Sequence, residues 1–174
     1  MNTDNFVVSY LLTSLVAGLL GVMVLEFVMW LTSRGGPAHG SMVLALGGLL
    51  TRSRARAFRV GAMVHGIAGV GFALIYVWVM GSLGYTHFPR VLEVGLGLGL
   101  VHGLLVSLAL VWVVADHHPL EEFKEADLAI GLSHFVGHVA YGAAVALVVG
   151  LSPLSPTPGV PRPPRPRPSC SSPR

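Results

Sequence analysis

The sequence predicts an all-α polytopic membrane protein, with four transmembrane helices in an antiparallel bundle within residues 1–151 and a disordered Pro/Arg-rich tail over 152–174. Three observations carry this. The 174 residues are 53% hydrophobic and 11% charged, with a mean hydropathy of +0.71, where a soluble domain carries about 25% charged residues. The apolar residues gather in four blocks of about 25, more than the roughly 20 a helix needs to cross the hydrocarbon core. Finally, nine of the twelve prolines lie between Pro153 and Pro173, a composition that builds no core.

The spans are expected at about 7–31, 58–83, 91–115 and 128–151. No Lys or Arg precedes the first block and no small-residue cleavage pattern follows it, so it reads as a retained span rather than a secretory signal. The connection over 32–57 opens with Arg34, Gly35, Gly36 and Pro37 and closes with Arg52, Arg54 and Arg56. Its apolar piece, Met42 to Leu50, is too short to cross and reads as interfacial or re-entrant. The connections at 84–90 and 116–127 each read as closing a hairpin between neighbouring spans; Pro89 stops any continuous helix in the first. Trp30, Trp78 and Trp112 lie near span ends, as interfacial anchors do.

The net charge of +3 suggests anionic lipid headgroups rather than nucleic acid, because the basic residues flank spans or fall in the tail. Arg34, Arg52, Arg54, Arg56 and Arg59 predict a cytoplasmic first connection and external termini, with the tail's arginines arguing the other way. The single cysteine, Cys170, excludes a disulfide framework. The tail contains a PxxP at Pro161 to Pro164, but its composition favours a featureless extended segment over a ligand motif.

Lipid gives helices no hydrophobic reason to associate, so small residues that let backbones approach are the packing signal. Gly95, Gly99, Gly103 and Ser107 recur every fourth residue on one face of the third span. Gly61, His65, Gly69 and Ala73 do so in the second, and His134, His138, Gly142 and Ala146 in the fourth. The His-Gly-Ala-Leu spacing of His65, Gly69, Ala73 and Leu74 repeats at His138, Gly142, Ala146 and Leu147; a duplicated hairpin and coincidence in Gly/Ala-rich helices both account for it.

Ionisable residues at membrane depth are functional candidates by default. At about 1.5 Å rise per residue, Glu26 lies about 8 Å from the face bearing the first and third connections. His65 and His134 lie about 10 Å in, His138 about 16 Å and His102 about 20 Å. His134 and His138, at i and i+4, reach one point. With His65 and Glu26 they suit a transition metal; His65 with one of the pair suits a haem. The same groups suit a proton or ion path. Against these stands hydrogen-bonded packing of neutral rings, with Glu26 reaching toward the interface. His117 and His118, followed by Pro119, read as a turn rather than a ligand pair. Tyr141 reads as packing. No GxSxG, HExxH or phosphate loop occurs, and no nucleophile with an adjacent base can be assembled, which disfavours an enzyme.

The Gly-rich first span, MVHGIAGVGFALIY ending at Tyr76, GLVHG around His102, HHPLEEF from His117, and GHVAYG from Gly137 to Gly142 resemble small, uncharacterised four-helix membrane proteins of bacteria and archaea. The resemblance spans residues 11 to 150 and excludes the tail. It implies the four-helix architecture and a prokaryotic cell membrane, and brings no activity with it. The expectation is therefore a structural or accessory membrane component, with membrane lipids, a second copy or another membrane protein as partners. The alternative is a metal- or haem-binding redox protein, or an ion- and proton-handling one, built on the intramembrane histidines.

Overall fold

The computed structural model describes residues 3–35, 42–124 and 128–152; the tail from 153 on, including Cys170, lies outside them. Those residues are helical, with no strand among them. Helix α1 is Thr3–Gly35, α2 Met42–Thr51, α3 Arg54–Ser82, α4 Arg90–His117 and α5 Leu128–Leu151. Four of them are long and apolar enough to cross a membrane, and at most half of each apolar stretch is buried inside the structure. The rest of those surfaces, including Leu12, Met23, Met63, Ile67 and Leu105, faces outward.

The short connections are set by local chemistry. Thr51 donates its hydroxyl to the Gly47 carbonyl oxygen at 2.7 Å and Arg52 takes the left-handed region, φ 50°, before Ser53 extends to cap α3. That corner folds α2 back along α3, where Gly47 and Gly61 face each other across the contact. At the far end of α3, Gly84 has φ 72°. The Tyr85 N–H donates to Met80 O at 2.9 Å and the Gly84 N–H to Gly81 O at 3.1 Å, the paired bonds of a glycine C-terminal cap. Helix α4 starts directly after Pro89. Within it, Leu110–Val114 is a π turn, one residue wider than an α turn.

Helix α1 packs against α3 and α5, α4 packs along α5, and α2 packs along α3. The core consists of residues such as Leu25, Met29, Tyr76, Met80, Val91 and Tyr141. Helices α3 and α4, joined by the expected short connection, keep their backbones apart and meet through side chains, with His102 of α4 against Phe72 and Tyr76 of α3. The cause lies in the glycines. The α4 stripe of Gly95, Gly99 and Gly103 is turned toward α5, while α3 directs Gly61 to α2 and Gly69 to Val22 and Gly18 of α1. Each helix places its closest-approach face away from the other. The short segment 42–50, expected as an interfacial or re-entrant piece, is a regular helix on α3.

His118, at the end of α4, is 1% exposed and ties α4 to α2. Its Nε2–H donates to the Ala45 carbonyl oxygen at 2.9 Å and its Nδ1 accepts the Leu120 N–H at 3.1 Å. The sequence reading of a turn at His117-His118-Pro119 misses this lock.

Candidate functional site

The site is built on α5. His134 and His138 are both buried. The Nδ1 of His134 lies 2.8 Å from the Ile130 carbonyl oxygen, and that of His138 lies 2.7 Å from the His134 carbonyl oxygen. A carbonyl only accepts, so in each ring Nδ1 carries the hydrogen. Each neutral ring therefore presents its lone pair at Nε2. The Nε2 of His134 is buried and has no hydrogen-bond partner, and this side chain lies within electrostatic reach of Glu26 and His65.

Glu26 on α1 and His65 on α3 meet, Oε1 to Nδ1 2.9 Å, with 36% of the Glu26 side chain and 10% of the His65 side chain exposed. The distance is that of an ion pair, but the alignment falls short of a hydrogen bond, and neither atom has another partner. His138 is within electrostatic reach of His65, His102 and His134. Its ring centroid is 4.6 Å from that of His102, edge-on at 69°. His102 Nδ1 lies 3.2 Å from the Tyr76 hydroxyl, and its ring lies against Phe72 at 4.0 Å. Tyr141 donates its hydroxyl to the Gly69 carbonyl oxygen at 2.5 Å. Ser107 of α4 donates to Gly131 O at 2.8 Å.

All five candidates, Glu26, His65, His102, His134 and His138, thus belong to one cluster contributed by four helices. A cavity of about 120 Å³ adjoins it, with His65, His102, His138, Phe72 and Tyr141 among its walls. The packing glycines support the cluster. Gly99 and Gly103 bring the α4 backbone onto His138 and Phe135 of α5, Gly95 and Gly142 face each other, and Gly69 lets α1 approach α3.

Among the described residues no three His, Cys, Asp or Glu side chains are grouped as a metal ion requires. The cavity, about 120 Å³, is small beside the roughly 300 Å³ at which sites for drug-sized ligands begin. Sequence reasoning missed Tyr76 and Phe72. The signal was present: Tyr76 falls eleven residues, about three turns, after His65 and shares its face.

No protein-family model matches the chain, nor does any curated protein or solved structure. The resemblance to small four-helix membrane proteins is one of residue patterns only.

Proposed function

We propose that the chain is a four-span integral protein of the cell membrane, with consecutive spans running in opposite directions, and that Glu26, His65, His134, His138 and His102 form a proton-handling array inside it. Four apolar helices with outward-facing Leu, Val, Met and Ile support the membrane placement. The Gly95, Gly99 and Gly103 face is packed on α5 and Gly61 and Gly69 on α2 and α1, so these faces lend no support to an accessory role.

The observation that carries the reading is the buried, unpartnered Nε2 of His134 beside a carboxylate–imidazole pair. A side chain kept only for packing gains nothing from an orphaned acceptor, which costs about 1–3 kcal/mol. An acceptor waiting for a proton has that geometry. Glu26, with 36% of its side chain exposed and about 8 Å from the basic face, is the entry point. From there the ladder descends through His65 and His134 to His138 and His102, at about 20 Å. Imidazole is suited to this relay because its charge changes near neutral pH.

The test is a pH step on protein reconstituted in lipid vesicles, from about pH 8 to 5, the range in which imidazoles change charge. Wild type should take up more protons than either Glu26→Gln or His134→Phe. Equal uptake by all three proteins would overturn the proposal.

A further inference from the structure

Helix α3 has two unlike faces. Ala57, Gly61, His65 and Gly69 recur every fourth residue and are all buried. Arg56, Arg59, Met63 and Ile67, at spacings of three and four, form a row on the opposite side of the same helix, and all four are exposed. At about 1.5 Å rise per residue, Ile67 lies about 12 Å along the helix axis from Arg59. Arg52, at the corner just before the helix, is exposed as well.

The charges at this end of the bundle do not balance. Arg54 is paired with Glu122 and Lys124 with Glu121, and the Arg34 guanidinium lies 3.9 Å over the Trp30 ring. Arg52, Arg56 and Arg59 have no ion-pair partner among the described residues. No acidic residue stands in the first turn of α3, and this is the end at which the dipole of a helix disfavours cations. Three uncompensated guanidinium groups thus fall in the segment 52–59, and the exposed row they start continues in apolar side chains.

We infer that this face binds an anionic phospholipid of the bilayer, with its phosphate on Arg56 and Arg59, Arg52 adding to the positive field, and an acyl chain along Met63 and Ile67. A guanidinium offers paired N–H donors that match phosphate oxygens, and it stays charged at any physiological pH. A phosphate placed there offsets the repulsion between the arginines. A zwitterionic lipid supplies a phosphate too, but the cation on its headgroup meets the same positive field. A soluble anion engages the arginines alone and leaves Met63 and Ile67 bare. Net charge points to lipid headgroups in general; the ion pair of Arg54 and the outward row of α3 narrow the contact to one side of one helix.

This inference rests on the membrane placement and not on proton handling. Flotation of the full chain with vesicles of phosphatidylcholine alone tests the placement, and a chain that stays at the bottom of the gradient would refute both. Native mass spectrometry of the full chain, released from detergent after titration with phosphatidylglycerol or phosphatidylcholine, tests the lipid site. Phosphatidylglycerol should bind about tenfold or more tightly, because each arginine at a membrane surface supplies roughly a fivefold gain. Arg56→Gln combined with Arg59→Gln, both on the exposed surface, should remove most of that preference and leave phosphatidylcholine binding unchanged. Arg90→Gln, at the other end of the bundle, should leave both affinities as they are. Sodium glycerophosphate, which has no acyl chains, should not displace the lipid at equal concentration. Equal affinity of wild type for the two lipids, a preference that the double variant keeps, its loss in Arg90→Gln, or displacement by glycerophosphate would each overturn the assignment.

Discussion

A methyl group added at Gly99 should weaken the fold, and the same methyl at Gly97, two residues away on the same helix, should not. A Cβ at Gly99 would lie 2.9 Å from the His138 carbonyl oxygen and 3.0 Å from Val139 Cα. Both are backbone atoms of α5, so no rotamer change makes room. Carbon contacts are optimal at about 3.5–4.0 Å, so α4 and α5 must part locally by about half an ångström or more. A gap of that size forfeits about a quarter of the dispersion of each neighbouring contact. Overpacking of this kind costs about 1–3 kcal/mol. At Gly97 an added Cβ meets nothing within 4 Å. Both changes share the gain of replacing helical glycine by alanine, about 1 kcal/mol, and that gain cancels in the comparison. Gly99→Ala should therefore be about 1–3 kcal/mol less stable than Gly97→Ala, and the two leucine variants should differ by more. Equilibrium unfolding of both proteins in one detergent measures this. Equal stability would refute the claim that the α4–α5 approach is set at Gly99.

Three further outcomes follow from single contacts. Tyr141→Phe removes the donor to the Gly69 carbonyl and should lower stability in the same unfolding assay by about 0.5–1.5 kcal/mol; no loss would mean that the hydroxyl is dispensable. His118→Leu leaves the Ala45 carbonyl and the Leu120 N–H without their partner. It should cost about 1–3 kcal/mol and speed protease cutting between α1 and α3, whereas an unchanged digestion pattern would refute the lock. With external termini, a membrane-impermeant maleimide should label Cys170, the only thiol, in intact cells; labelling only after lysis would reverse the orientation.

The helices were legible because apolar run length is a one-dimensional property: the segment expected at 128–151 coincides with α5, and that at 58–83 lies within a residue or so of α3 except at its basic start. Candidate residues were legible for a similar reason, since a carboxylate or imidazole in such a run stands out by composition. Which helix faces which was not legible. Three spans carried small residues at four-residue spacing, and nothing in that spacing says that Gly99 meets His138 while Gly61 meets Val43. The parting of α3 from α4 is a result of those choices, and so is the cavity. The tautomers of His134 and His138 became readable only through the carbonyl each ring lies against.

The π turn at Leu110–Val114 sets the phase of everything beyond it. One surplus residue in a turn advances the chain by about 100°, a full turn being 3.6 residues. On one side of it Gly95, Gly99 and Gly103 look toward α5; on the other, His118 looks toward Ala45 of α2. Deleting a single residue there would restore an unbroken α-helix and swing His118 off its carbonyl while leaving Gly95, Gly99 and Gly103 on α5. The third long helix is thus counted to the residue by a bond made on a different helix. Its outward face tolerates exchange of one apolar side chain for another, and its length tolerates no change.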